Sequence, residues 1–352
     1  MIWKVAKLVP VPVMLLALVG AVPLRVRAAT QPVVVVVNLD QMVQPVSAEY
    51  VVRGIRYANE SGADAVLLEL NTPGGLEKSM HEIVRAIIDS GVPVITYVTP
   101  SGGRAASAGF FILLAGDVAV MAPGTHAGAA HPVILGGAEI SKTMETKIVN
   151  DAAAHIRSIA DKRQRNSKLA EEGVLQSRSY TEKEALEGKL IDLVANTPRD
   201  IFAKLDGATI KRFNDTTTVL RVADARMEPY VMTPRERFFS RILDPNIAFI
   251  LAAIGVLGLY IEFTHPGMIA PGVVGAIALV LALFAFHLLP INYTGVILIV
   301  LALALFVLEA NVTSHGVLAG GGVVAMVIGA LILVDSPWPE ARIRLSTALG
   351  VA

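Results

Sequence analysis

The sequence predicts an α/β domain built from stacked βαβ units, followed by an α-helical transmembrane bundle. Short runs of β-branched residues alternate with segments of helical spacing through residues 30–225, which is typical of a parallel sheet covered by helices. Of the 352 residues, 54% are hydrophobic and 17% are charged, a balance too apolar for an ordinary soluble protein. Long apolar segments are concentrated after residue 245, where they predict membrane-spanning helices.

The predicted strands are short and strongly apolar, as buried parallel strands require. They cover 33–39, 65–71, 94–98, 118–121 and 190–194. Helical spacing predicts helices over 47–61, 77–90, 105–115, 148–164 and 181–187. Gly62 and Gly91 directly follow the first two of these helices, where glycine commonly ends a helix. The alternation of the two patterns indicates repeated βαβ units.

Residues 1–29 have the composition of a secretory signal peptide. The segment begins with basic residues, continues as an apolar stretch over 8–24 and ends in small residues. Because Arg25 and Arg27 are unusual near a cleavage site, an uncleaved anchor is the alternative. Export would place residues 30–225 on the extracytoplasmic side of the inner (plasma) membrane.

The rest of the chain is predicted to be a linker, a multi-pass membrane region and a tail. Residues 226–245 are charged and contain proline, as linkers do, and residues 246–335 carry about four apolar spans. The spans cover 246–261, 268–289, 293–308 and 317–334. An acid, a turn and a glycine-rich helix start occur twice, at Glu262 and at Glu309. This repeat favours close packing through small residues over a charge-lined path, and residues 336–352 form the tail.

The composition excludes several classes of function. The formal net charge is zero, so there is no bulk electrostatic attraction to nucleic acid. The chain has no cysteine, which excludes thiol catalysis, disulfides and cysteine-based zinc sites. We expect neither a metal nor a cofactor.

One serine lies in a setting typical of a catalytic nucleophile. Ser107 stands among alanines and glycine in 105–109, about thirty residues after a Pro-Gly-Gly turn that ends in Gly75. Both segments follow predicted strands, where α/β proteins place their sites. A helix that starts near Ala106 would direct its positive end at the negative charge that forms during acyl transfer. The backbone N–H groups of Gly75 and Ala108 are the predicted oxyanion-hole donors, and small-residue packing in a buried helix is the structural alternative.

Four short segments carry a resemblance to a known superfamily. They are Asn71–Gly75, Ala105–Gly109, Met121–Gly124 and Tyr180–Gly188. They resemble the Clp-protease/signal-peptide-peptidase-A superfamily, which implies a Clp-protease/crotonase-like domain. Together with the signal peptide and the repeated membrane helices, they make the chain similar to the NfeD family. These are membrane-bound serine proteases, also called stomatin operon partner proteins. Family members usually end in a small β-barrel domain of OB type. Residues 336–352 are expected to form an incomplete C-terminal tail in which this domain is absent.

Two side chains compete for the role of the base. The resemblance implies a Ser-Lys dyad with Lys147, for which Lys142 is the substitute. A lysine acts as a base only if desolvation lowers its pKa from about 10.4 toward 7–8. The alternative is His131, which lies where Clp proteases carry their catalytic histidine. The acid that would orient it is missing from 176–178, so Lys147 is preferred.

The sequence therefore leads to two main functional hypotheses. The first is a membrane-anchored serine endopeptidase that cleaves hydrophobic segments of membrane-associated proteins. The resemblance implies a stomatin-like (SPFH) membrane protein as its partner, contact with membrane lipid, and a homo-oligomer formed through the protease domain. The second hypothesis is a non-catalytic membrane scaffold for such a partner. Acyl-thioester chemistry ranks last, because the sequence lacks a basic cluster that would bind phosphates.

Overall fold

The computed structural model describes residues 31–133, 141–265, 267–312, 314–336 and 342–352. The signal peptide predicted for 1–29 lies outside these ranges. In the described ranges, the strands are β1 (Val33–Leu39), β2 (Ala65–Leu70), β3 (Val94–Val98), β4 (Arg104–Ala106), β5 (Val118–Met121), β6 (His126–Gly128), β7 (Ser179–Thr181), β8 (Leu193–Val194), β9 (Thr209–Lys211), β10 (Thr217–Val219) and β11 (Arg226–Tyr230).

The helices divide between the α/β domain and the membrane region. Those of the domain are α1 (Pro45–Ser61), α2 (Glu77–Ile88), α3 (Ala108–Ala115), α4 (Lys142–Lys162), α5 (Ser167–Leu175), α6 (Glu182–Glu187) and α7 (Pro198–Leu205). Helix α8 (Pro234–Ile242) leads to α9 (Pro245–Thr264), α10 (Ile269–Leu288), α11 (Tyr293–Asn311), α12 (Val317–Leu333) and α13 (Leu345–Val351).

A six-stranded parallel sheet forms the centre of the α/β domain. Its strand order is β11-β1-β2-β3-β5-β8, and each neighbouring pair is parallel. Five of these strands confirm the strands predicted from the apolar runs. Helices cover the face of β2 that carries Val66 and Leu68, whereas α7 and the β9–β10 hairpin cover the face that carries Leu67. Burial on both faces explains why these strands read as continuous apolar runs.

The sixth strand, β11, corrects the predicted linker over 226–245. Arg226–Tyr230 pairs with Val33–Val37 at the edge of the sheet, and α8 takes up most of the remaining segment. The Tyr50 hydroxyl donates to the Tyr230 carbonyl over 2.6 Å, and the two rings stack at 5.8 Å. Because β11 lies at the edge of the sheet, it tolerates the proline at 229 and needs few apolar residues. Its sequence therefore resembles that of a linker.

The structure also corrects the start of the helix predicted over 105–115. Ala105 and Ala106 belong to strand β4, and helix α3 begins at Ala108. Thr72 donates its N–H to the Arg104 carbonyl, and Ala106 donates its N–H to the Thr72 carbonyl. These tertiary hydrogen bonds override the helix propensity of alanine.

A buried ion cluster fixes the C-terminal end of α4. The Asp117 carboxylate has no exposed surface and accepts from Arg163 at 2.6 Å and from Arg212 at 2.9 Å. Arg163 also donates to the Ala115 carbonyl over 2.8 Å. Residues near the opposite end of α4, including Lys147, are exposed.

Four apolar helices lie at the positions where the sequence predicts membrane spans. Three of them, α9, α10 and α11, are long and apolar enough to cross a membrane, and α12 is shorter at 17 residues. Helices α9 and α10 pack closely where Gly258 meets Gly275, and α11 and α12 pack where Gly295 meets Gly329. These contacts support the small-residue explanation of the sequence repeat.

Helix α8 joins the α/β domain to the membrane region. Glu236 on α8 forms a 2.7 Å ion pair with Arg53 on α1. Ser240 donates to the side chain of Gln41, which lies in the β1–α1 loop. Val46, in the first turn of α1, packs against the apolar cluster that contains Ile242 of α8 and Ala285 of α10. The membrane region therefore packs close to the start of α1.

Candidate active site

Ser107 occupies a sharp turn between strand β4 and helix α3. Its backbone has φ 52° and ψ −118°, and its side chain is half-buried. Its N–H donates to the Gly128 carbonyl over 2.9 Å, which holds the turn in place. A non-glycine residue adopts such a conformation only where its surroundings enforce it, and such residues are frequent at functional sites.

Gly74 and Gly75, which precede α2, leave room for Ser107 and allow the chain to turn. A Cβ at Gly74 would lie 2.5 Å from the Ser107 Cβ and 3.1 Å from its Oγ. A Cβ at Gly75 would lie 2.0 Å from the Val43 carbonyl oxygen. Both glycines have positive φ angles, 111° and 156°. Val43 holds the turn by donating its N–H to Gly74 O over 2.8 Å and accepting from the Leu76 N–H over 2.7 Å.

The predicted oxyanion donors lie in the same cavity as Ser107. Ala108 is the first residue of α3, so its N–H has no acceptor within the helix. In the described part of the chain, neither this N–H nor that of Gly75 donates a hydrogen bond. Ser107, Gly75 and Ala108 all line one cavity of about 310 Å³. The arrangement provides a hydroxyl beside two available backbone donors, as acyl transfer requires.

The cavity around Ser107 is mainly apolar. Its apolar lining includes Val43, Leu76, Met80, Phe111, Pro132 and Ile148. Charged or titratable groups line one part of it, namely Glu77, His81, Asp151 and His155. Such a cavity suits an apolar peptide segment, because buried apolar area drives binding and few polar groups there need partners.

The structure places Lys147 outside the residues that line the cavity. Lys147 lies near the start of α4 with an exposed side chain, as does Lys142. Among the described residues its ammonium group has no ion pair or hydrogen bond. The next residue, Ile148, does line the cavity. The role of Lys147 as the base therefore stays a prediction.

The alternative base, His131, is held by a backbone carbonyl. Its Nδ1 donates to the Val174 carbonyl over 3.0 Å, so Nε2 is the basic nitrogen of the neutral ring. Its neighbours Ala130 and Pro132 line the cavity, whereas His131 does not.

Sequence reasoning missed a pair of histidines in the cavity. The rings of His81 and His155 stack at 4.5 Å, and His155 also contacts the Phe111 ring at 5.6 Å. Burial and the neighbouring His81 lower the pKa of His155, while Asp151 and Glu77 partly oppose that shift. The sequence did contain a signal: Glu77 and His81, like Asp151 and His155, are four residues apart and so share a helix face.

Two curated relatives are similar to this chain over most of its length. A membrane-bound protease of Pyrococcus horikoshii, PH1510, is 36% identical over 284 residues, which make up 80% of this chain and 64% of the relative. The membrane protein NfeD1b of Bacillus subtilis is 30% identical over 323 residues, 91% of this chain and 70% of the relative. This chain therefore spans less than two thirds of the length of the Pyrococcus protein.

Three solved structures of one protein domain share the fold of the α/β domain. They are described as 1510-N, a membrane protease specific for a stomatin homologue from Pyrococcus horikoshii. Sequence identities are 30–31% and TM-scores 0.54–0.56, covering 58–61% of this chain and 98–100% of theirs. One carries a lysine-to-alanine change and holds a substrate peptide, and another carries a serine-to-alanine change. This homology confirms the predicted Clp-like fold of the α/β domain.

Two family descriptions cover nearly all of the described chain. Residues 33–229 match the N-terminal domain of NfeD1b, and residues 246–352 match the NfeD integral membrane domain. The first match takes in the Ser107 turn and strand β11, and the second takes in the four apolar helices. The resemblance drawn from the short motifs is thereby confirmed, and the chain belongs to the NfeD family of membrane proteins.

Proposed function

We propose that this protein is a membrane-anchored serine endopeptidase in which Ser107 is the nucleophile. One observation carries the proposal: Ser107 lies on a strained turn, beside the unpaired N–H groups of Gly75 and Ala108, in a single apolar cavity. Packing alone does not explain a conformation that costs free energy next to two backbone donors that have no acceptor among the described residues.

The reaction follows from this geometry. The Ser107 Oγ attacks the carbonyl carbon of the peptide bond while a base removes its proton. The carbonyl oxygen becomes an oxyanion, which the Gly75 and Ala108 N–H groups stabilise. The C–N bond then breaks, the amine leaves with the proton, and an acyl-enzyme remains at Ser107. Water hydrolyses the ester by the same route and restores the hydroxyl.

Lys147 is the base that we favour. The serine and lysine changes in the related structures support a Ser-Lys pair, and Lys147 directly precedes cavity-lining Ile148. Lys147 must move toward the apolar cavity when substrate binds, because a general base has to lie within hydrogen-bond reach of the proton that it removes.

The related protease is specific for a stomatin homologue, and we extend that substrate class to this chain. The apolar cavity fits a hydrophobic segment of a stomatin-like membrane protein, bound close to the lipid. We further propose that the protease domain faces the extracytoplasmic side of the inner membrane and that it forms homo-oligomers.

The test is peptide cleavage by the full chain in lipid nanodiscs. Ser107→Ala should reduce kcat/KM at least about 1,000-fold, because removal of the nucleophile leaves only binding and oxyanion stabilisation. Ser101→Ala, at an exposed serine in the preceding loop, is the matched control and should cleave as wild type does. Lys147→Ala and His131→Ala identify the base. Full activity in Ser107→Ala would refute the proposal.

The exposed position of Lys147 favours one alternative, a non-catalytic scaffold for the same class of partner. A scaffold would not react with a fluorophosphonate probe at Ser107. It would also keep its cellular function in the Ser107→Ala strain. The endopeptidase should instead show labelling that Ser107→Ala removes.

A further inference from the structure

The membrane region supplies part of the wall of the cavity that contains Ser107. Leu288, at the end of α10, and the following Leu289 and Pro290 line this cavity, and so does Ser336 beyond α12. The sequence separates these residues from Ser107 by more than 180 positions. The cavity is therefore built jointly by the α/β domain and by one end of the helical bundle.

This part of the wall is firmly held. The Asp335 N–H donates to the Pro290 carbonyl over 2.9 Å, and the Asn292 N–H donates to the Leu333 carbonyl over 2.8 Å. An antiparallel bridge between Ile291 and Val334 lies between these two hydrogen bonds. The segment after α10 is thus fixed to the end of α12, so it has a defined surface to present to the cavity.

The same wall is connected to the oxyanion turn. Leu288 packs against the cluster of Ile242 and Ala285, and Val46 of the α/β domain packs against that cluster too. Three residues earlier, Val43 is hydrogen-bonded to the Gly74–Leu76 turn. The position of the bundle end relative to the reacting groups is therefore set by direct packing.

We propose that Leu289, with Leu288 and Pro290, forms an apolar subsite that selects a side chain of the peptide substrate. The inference rests on the proposed endopeptidase function. A peptide is the expected occupant, because the same cavity contains Ser107 and the N–H groups of Gly75 and Ala108. Since the subsite belongs to the membrane region, it selects an apolar residue close to the membrane surface.

The chemistry of this wall explains the selection. Leu288, Leu289 and Pro290 offer no side-chain hydrogen-bonding group. The titratable cavity residues Glu77, His81, Asp151 and His155 belong to α2 and α4 instead. A polar side chain placed against Leu288, Leu289 and Pro290 would lose its water without gaining a side-chain partner from them, which is unfavourable. The volume of residue 289 then decides which apolar side chain fits.

A change of preference tests this proposal better than a loss of activity. The full-length variants Leu289→Ala and Leu289→Trp are assayed in nanodiscs, and kcat/KM is measured for sets of peptides. Within one set the peptides differ only in having Ala, Leu or Trp at one position, and each set varies a different position around the cleavage site. At one position, Leu289→Ala should raise the Trp/Leu ratio of kcat/KM about tenfold, and Leu289→Trp should lower it about tenfold. A few methylene groups in an apolar pocket discriminate by about this much. Opposite shifts cannot arise from general destabilisation.

Leu283→Ala is the matched control, because Leu283 lies on α10, six residues before Leu289, with 59% of its surface exposed. It should leave every ratio unchanged. Ratios in both Leu289 variants that equal those of the control would overturn the subsite. If lipid acyl chains occupied it instead, the ratios would also stay constant.

A second measurement separates this failure from failure of the proposed function. Binding of the same fluorescent peptides is measured in a Ser107→Ala background, so that turnover plays no part. Size-dependent changes in Kd with residue 289 support the subsite even if no peptide is cleaved. Absence of fluorophosphonate labelling in the unmodified chain would count against the endopeptidase function alone. Labelling and cleavage with unchanged size preference would count against the subsite alone.

Discussion

At the scale of single residues, Ser107 shows how a turn can present a candidate nucleophile. Its positive φ is enforced from both sides, by the hydrogen bond to Gly128 and by the close approach of Gly74. A free energy cost of about 1–3 kcal/mol for such a conformation must be offset by the surrounding structure. Gly74 is therefore required for the serine to stand where it does, although it takes no part in the chemistry.

The substitution Gly74→Ala tests this requirement. The added methyl group would lie 2.5 Å from the Ser107 Cβ, so the turn must shift. We expect kcat/KM to fall at least about 100-fold, because catalytic groups displaced by about 1 Å lose that much. Gly102→Ala is the control: it also has a positive φ, 85°, but its added Cβ meets no atom within 4 Å. It should cost only about 1–2 kcal/mol of stability and leave kcat/KM within twofold.

Part of the site was predictable at this scale and part was not. The sequence picks out Ser107, Gly75 and Ala108 as candidates because short motifs place them after predicted strands, where α/β proteins place their sites. His155 and Leu289 reach the cavity only through the packing of α4 and α10, and no local pattern shows where those elements end up. Lys147 is a further example: its spacing from Ser107 in the sequence does not determine whether its side chain faces the cavity.

At the scale of elements, strand β11 changes the boundary of the α/β domain. It supplies the parallel partner for β1 and brings Tyr230 onto Tyr50. Without it, the backbone groups of β1 on that side would be exposed, as on any unprotected sheet edge. A domain that ends at 225, as the sequence suggested, would lack this strand.

Two soluble fragments test this boundary. Residues 31–232 retain β11, whereas residues 31–225 lose it together with the packing of Tyr230. We expect the shorter fragment to be at least about 2 kcal/mol less stable, since losing a packed aromatic side chain alone typically costs 3–5 kcal/mol. Urea unfolding followed by circular dichroism measures the difference. Equal midpoints would show that β11 contributes nothing to the fold.

At the scale of the whole molecule, the ends of the membrane helices fall into two sets: one on the side of the α/β domain and one at the opposite end of the bundle. The α10–α11 connection lines one cavity together with residues of the α/β domain, and it is hydrogen-bonded to the segment at the end of α12. The Asn246 side chain at the start of α9 accepts from the Arg344 N–H at 2.8 Å and the Thr347 hydroxyl at 2.9 Å. The segment after α12 thus returns to the end of the bundle that carries the α/β domain. This arrangement supports four crossings.

Single cysteines test these crossings, and the chain has no native cysteine to interfere. With four spans, His265→Cys and Val312→Cys lie at the end of the bundle opposite the α/β domain. Tyr293→Cys and Ser101→Cys lie on the side of the domain. A membrane-impermeant maleimide added outside the cell should label the second pair and spare the first. Labelling of 293 and 312 from the same side would contradict a crossing by α11.

The sequence by itself determined the order of the main strands and helices, the apolar spans, and the candidate nucleophile with its candidate oxyanion donors. Each of these depends on local composition: a buried strand, a membrane helix and a glycine turn are specified within a few residues. Tertiary structure decided what depends on distant contacts. The edge strand β11 is recognised only by its pairing with β1. The positive φ of Ser107 is seen only together with the hydrogen bonds that enforce it. The cavity wall at Leu289 exists only because the membrane helices pack against the α/β domain. The physical reason is that hydrogen bonds and packing between distant segments override local propensity where the two disagree.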